Sequence, residues 1–296
     1  LLSIGLTASP LLPSSNHKPL QVRAAAANPH MLLPGLIVAA APIALYALMS
    51  VNEYATHRWY QHAEFNKNAL MQRVACTILR KPVADGHKIR GGGHVEHHAE
   101  TYDDMTLKKD QRWSSSPAAR SLDSDMWRGT AFTWKTTGLM VIQMLPSTLP
   151  VFHLLGFSLV STMGWLLPGM LLHALVWNML HPPMHGLPDV PLSVGAPSTW
   201  LAPFRNTGYF KYIYENHQGH HVRGGKVNYN VCCPLTDHLL GTYEPVDAWQ
   251  PAMRAVPAKG AAERWGYAVE PAGVPQAPIA GEEGTGRAGL VIAKLD

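Results

Sequence analysis

Ten histidines stand in four short clusters along this chain of 296 residues. The first is His57 and His62, spaced H-x4-H. The second is His94, His97 and His98, spaced H-x2-H-H. The third is His181 and His185, an H-x3-H pair, and the fourth, His217, His220 and His221, repeats H-x2-H-H. Imidazole is a ligand for iron, zinc, copper and nickel. On a helix, residues three and four apart share a face with Cβ atoms about 5–6 Å apart. Paired imidazoles at that spacing can bind one metal or reach two neighbouring ones. Two metals with four or five protein ligands each need about eight to ten donors, the number these clusters offer. H-x2-H-H arises by chance roughly 0.05 times in a chain of this histidine content, yet it occurs twice, so the clusters read as one set.

Metal-bound imidazoles usually donate their second nitrogen to a carboxylate or a carbonyl. Glu53, four residues before His57, Glu96, inside the second cluster, and Asp237 are the acids best placed for that role or as occasional ligands. His173, two turns before His181 on an apolar helix, is either an inward-facing group near the metals or a hydrogen-bonded core histidine. His238 has the same two readings. Glu100 and Asp103 read as solvated surface charges, and His153 as a bystander at the far end of a membrane hairpin. His17, His30 and His87 carry no ligand spacing.

Other chemistries are poorly supported. Cys76, Cys232 and Cys233 form no C-x-x-C pair, so neither a disulfide scaffold nor a thiolate zinc motif is expected, and the vicinal pair reads as packing. A net charge of +4 is too small to point to nucleic acid and suits a basic face near anionic lipid head groups.

The elements that must position these histidines follow from hydropathy. Met31 to Val51 is uncharged and long enough to span a hydrocarbon core of about 30 Å. Residues 53–135 are polar and basic, interrupted by the short apolar stretch Ala69–Leu79, which reads as an interfacial or buried helix. The apolar region 136–180 is too long for one crossing. Pro146, Pro150 and Gly156 divide it near 136–153 and 156–180, predicting a hairpin with its tip at Pro150–Gly156. Residues 181–244 are polar again. Both basic regions then share one side, cytoplasmic or, in a plastid, stromal, and all four clusters face it. Trp59, Tyr60, Trp113, Trp127 and Trp134 read as an aromatic belt. The expected fold is an all-α, integral-membrane helical bundle of about three crossings over residues 31–244, with a helical cap carrying the metals. Residues 1–30, basic and acid-free, read as a transit peptide or a disordered terminus, and the Pro-, Ala- and Gly-rich residues 245–296 as a poorly ordered tail.

The ordered series of clusters resembles the fatty acid hydroxylase and sterol desaturase superfamily of membrane di-metal enzymes, over about Asn52 to Tyr243. Asp237-His238-Leu239-Leu240-Gly241-Thr242 is similar to the D-x3-G-T stretch that follows the last histidines there. The resemblance implies a helical bundle with a cytosolic cap and two metals near the membrane surface, bound by the ten histidines. It implies two iron ions (zinc in recombinant material) and O2-dependent hydroxylation or desaturation of a fatty acyl, sterol or related lipid. No nucleotide or flavin motif is evident, so electrons are expected from a separate carrier, a ferredoxin in a plastid or a membrane cytochrome at the endoplasmic reticulum. Carotenoid hydroxylation and aldehyde deformylation are alternative outcomes of the same architecture. A non-enzymatic metal transporter or metal store is the alternative of another class; it favours ligands inside membrane helices or in low-complexity loops. The chain departs from the family pattern twice. Pro182 and Pro183 remove two amide donors from the third cluster, predicting a helix end or kink, and three crossings are read where some relatives have four.

Overall fold

The structure, a computed structural model, describes residues 29–78, 93–108, 115–122 and 127–254. The leader reading of the first 28 residues, Trp113, His87 and the tail beyond Arg254 lie outside the described residues. Those described are all-helical apart from two isolated bridges, Thr101 to Leu107 and Thr133 to Gly195.

Three long helices form the body. Helix α1 spans Pro29–Ala55. After α2 (Ala69–Ile78), α3 (His94–Glu100) and α4 (Pro117–Leu122), the chain enters α5 (Trp134–Leu154) and returns along α6 (Leu159–Met184). Both hairpin helices start on a hydroxyl cap: Thr133 Oγ1 accepts from Thr136 N and Ser158 Oγ from Ser161 N, each at 3.2 Å. The turn is Leu155–Ser158, with Gly156 at φ 86°. It lies later than the expected tip, because Pro150 is accommodated inside the last turn of α5 rather than ending it. Pro146 and Pro168 are likewise interior, as in helices whose freed carbonyls neighbouring groups satisfy.

Helices α5 and α6 are long and apolar enough to cross a membrane. Their outward faces leave Leu139, Ile142, Val160 and Leu172 exposed, Val160 by 82%, the pattern of a surface that meets an apolar medium. The expected first crossing, Met31–Val51, lies within α1, which packs against the hairpin. A Cβ at Gly169 would come 2.5 Å from the Leu45 side chain, so the glycine sets how closely α1 and α6 approach. The core continues through Met140, Met144, Phe152, Leu166, Met170 and Leu180.

The remaining elements cap one end of this bundle: α7 (Gly208–Val222), α8 (Leu235–Leu240) and α9 (Val246–Trp249), with 3-10 turns at Glu64–Lys67, Ser198–Asn206 and Gln250–Ala252. The described residues include ten from Pro245 onward, and these pack on the cap. Trp249 is fully buried against Gly219 of α7, where a Cβ would collide with the indole, coming 2.6 Å from its Cδ1. Arg254 forks onto Asp103 through Nε at 3.1 Å and Nη2 at 2.9 Å. Asp103 is therefore a buried anchor for this segment and not a solvated charge.

Candidate metal centre

The H-x4-H spacing poses a local problem. Five residues along an α-helix put two side chains roughly 140° apart around the axis, so His57 and His62 could not face one ion. The chain widens instead. Thr56–Gln61 is π-helical, and His62 N donates to His57 O at 2.9 Å, an i to i+5 bond that stacks the fifth residue over the first. His181 and His185 need no such device. Pro182 and Pro183 fall in the last turn of α6, where Pro182 O accepts from His185 N and Leu187 N, so the third cluster ends the helix.

Nine of the ten histidines converge into two adjoining groups, and the tenth stands beside the second. The first comprises His57, His62, His94, His98 and His220; the second His97, His181, His185 and His221, with ligand atoms in each group within 4.8 Å of one another. His217 stands beside the second, its Nε2 3.2 Å from His221 Nε2. Each H-x2-H-H motif divides between the groups in opposite senses. Helix α3 gives its i and i+4 residues, His94 and His98, to the first and His97 to the second. Helix α7 gives His221 to the second, with His217 beside it, and His220 to the first. The groups meet where the His98 and His221 rings stack at 4.0 Å.

Proton positions decide what these rings can do. A carbonyl only accepts, so a ring nitrogen facing one carries the proton. His94 Nδ1 donates to Gly129 O at 3.2 Å, His181 Nδ1 to Thr130 O at 2.7 Å, His185 Nδ1 to Met105 O at 2.9 Å and His220 Nδ1 to Val227 O at 2.6 Å. His57 Nδ1 donates to Tyr229 O. Each Nε2 is then a bare lone pair while the ring is neutral. Burial pushes His57 and His97 well below the usual histidine range, and takes His94 down to about 4 and His185 and His220 to about 3. His57 Nε2 nevertheless lies 2.8 Å from His94 Nε2, and two lone pairs at that distance repel unless a cation stands between them.

The dimensions suit one. Two nitrogens each about 2.1 Å from one ion are about 3.0 Å apart at right angles and about 3.4 Å apart in a tetrahedron. The Nε2 pairs lie 2.8 to 3.2 Å apart, close enough for two rings to share one ion. His97 Nδ1 and Nε2, His181 Nε2, His185 Nε2 and His217 Nδ1 are buried without a hydrogen-bond partner; metal ligation would relieve His181 Nε2, His185 Nε2 and one nitrogen of His97. The residues present fit metal ions at both groups.

Backbone carbonyls, and not carboxylates, hold these imidazoles, and the acids act one step further out. Glu53 accepts from the amides of Val231, Cys232 and Cys233 at 3.1, 2.8 and 2.9 Å. Asp237 accepts from Tyr229 N at 3.0 Å and Asn230 N at 2.6 Å. Together they clamp the segment whose Tyr229 carbonyl faces His57. Asn228, at φ 52°, reverses the chain between the two carbonyls that hold His220 and His57, a left-handed position that asparagine tolerates. Asn178 does similar work for His181. Its amide bonds Phe132 N at 2.7 Å, and Phe132 O and Ala196 O at 2.9 Å, fixing the loop that presents Thr130 O.

The other predicted positions separate. Glu96 is half-buried in the first turn of α3. His173 is buried in α6, two turns before His181. His238 is exposed, with Nε2 2.6 Å from the Tyr212 hydroxyl, away from both. His153 is exposed at the end of α5 remote from the histidines. Asn178, Asn228 and the carbonyl acceptors escape sequence reasoning because a carbonyl has no residue signature; only Gly224-Gly225 and Asn228 left a turn signal. Comparison with protein-family models, curated proteins and solved structures returns no match, so the chemistry of this centre is read from its own residues.

Proposed function

We propose that this chain is a membrane-bound di-iron oxygenase that hydroxylates or desaturates a lipid, drawing electrons from a separate carrier, a ferredoxin or a membrane cytochrome. The observation that carries the proposal is the convergence of nine imidazoles, from four distant segments, into two adjoining groups at the end of membrane-length helices, with His217 beside the second. Iron is favoured over zinc because the proposed oxidation needs a redox-active metal and zinc has no redox chemistry. Helix α1 is proposed as a third crossing beside α5 and α6. Its 27 residues reach about 40 Å, and Leu36, Ile43 and Val51 point outward. The membrane is that of the endoplasmic reticulum or a plastid.

Two irons, when bound, supply reduction of O2 and cleavage of an unactivated C–H bond; the protein supplies everything else. The five carbonyls keep Nδ1 of His57, His94, His181, His185 and His220 protonated and their Nε2 free, so half of the ligand set is oriented before metal arrives and charge changes there cost little reorganisation. Trp177, buried with its indole donating to Thr130 O at 2.7 Å, and Phe132 beside it wall the centre on the membrane side and keep water from it. The exposed apolar faces of the helices suit a substrate that arrives laterally from the bilayer.

Lipid profiling of cells expressing the chain, with and without alanine at His217, His220 and His221, tests this. A new hydroxylated or unsaturated lipid that needs O2 and the intact cluster is expected. A purified, metal-loaded protein that carries zinc across vesicles and leaves their lipids unchanged would reverse the assignment.

A further inference from the structure

Three further donors lie outside both histidine groups. Glu53 of α1, His173 of α6 and Cys233, just ahead of α8, are buried, and one ligand atom from each lies within 4.8 Å of the others. His173 precedes His181 by two turns, about 12 Å along α6. Trp177 stands between them, its ring 6.4 Å from His173 and 5.1 Å from His181.

His173 Nδ1 and Nε2 are both buried without a hydrogen-bond partner, a costly condition for a polar ring. The closest opposite charge is Glu53 Oε1, 3.9 Å from Nε2. The Glu53 carboxylate is oriented by the three amides already named, as ligating carboxylates commonly are. The Cys232 thiol also hydrogen-bonds the carboxylate, and Asn230 Nδ2, at 3.4 Å from Oε2, makes only a weak bond.

We propose that Glu53, His173 and Cys233 form a third, mononuclear metal site that takes a borderline-soft divalent cation, zinc foremost. Thiolate, imidazole and carboxylate are the zinc donor set, and the sulfur disfavours magnesium and calcium. One thiolate and one carboxylate cancel the charge of the ion, so the filled site is neutral, as burial requires. Binding releases the Cys233 thiol proton to solvent. The ion ties α1, α6 and the segment behind His57 together beneath the histidine centre. Nothing in this site depends on the oxygenase proposal.

Cobalt(II) loading of the purified full-length chain in detergent tests it. Every ligand of the histidine centre is nitrogen, so a thiolate-to-cobalt charge-transfer band in the near ultraviolet reports a sulfur ligand alone. The wild type is expected to show that band, Cys233→Ser to lose it, Cys232→Ser to keep it, and His173→Ala to need at least tenfold more cobalt to develop it. A wild type that binds cobalt without the band overturns the proposal, whatever the variants do. So does a band that survives Cys233→Ser.

Discussion

Gly225→Ala separates backbone strain from loss of a ligand. Gly225 sits at φ 75° with its α-carbon against the His62 ring, and a Cβ there would come 2.6 Å from Nδ1. Ordinary contact needs about 3.5 Å, so the ring must retreat by about 1 Å. Metal–ligand distances tolerate about 0.2 Å, and His62 Nε2 is 2.8 Å from His220 Nε2 and 3.2 Å from His57 Nε2. A shift of that size takes His62 out of the first group. The left-handed conformation adds about 1–2 kcal/mol for any residue with a Cβ. Gly224 supplies the control, since it has φ 64° but nothing within 4 Å of its Cβ. Gly224→Ala should therefore lose about 1–2 kcal/mol of stability, seen as a drop in melting temperature in detergent, and Gly225→Ala at least as much. Only Gly225→Ala should lose metal affinity, by about tenfold or more in chelator competition. Equal metal affinity in the two variants would refute the reasoning that Gly225 exists to seat His62.

Alanine at His97, His98, His220 or His221 should remove bound metal and lipid oxidation together, whereas His153→Ala and His238→Ala should retain both; full turnover by any of the first four would count against the centre. Asn178→Leu leaves Phe132 N, Phe132 O and Ala196 O unpartnered, at about 1–3 kcal/mol each, so melting should fall steeply, and an unchanged melt would show that the loop holds His181 without it. Acid should unfold the metal-free protein early. His94, taken from 6.5 to about 4, stays neutral when folded while its unfolded form takes up a proton, so stability is full above pH 6.5 and falls as pH drops toward 4. A flat melting temperature across that window would contradict it.

The histidine set was legible because metal ligation demands a residue type with few substitutes, at spacings a helix imposes. The α5–α6 hairpin was legible from hydropathy for a similar reason, since a bilayer sets a length. What stayed hidden was geometry that no residue type announces. H-x4-H misfits an α-helix, and that misfit was itself the signal for a π-turn. Pro150 suggested a turn, yet helices that bury their freed carbonyls absorb proline. Asp103 looked like surface charge because its partner, Arg254, lies 151 residues away. Glu53 and Asp237 were sought as partners of the imidazoles themselves; they bind the backbone that presents the carbonyls.

X-ray absorption at the iron edge of the iron-loaded protein tests the centre most directly, because it counts the atoms around the metal. Four to five imidazole nitrogens per iron, with their ring scattering and no sulfur, is the predicted result. Iron surrounded mainly by oxygen, or by only one or two imidazoles, would mean that these rings do not gather around a pair of ions.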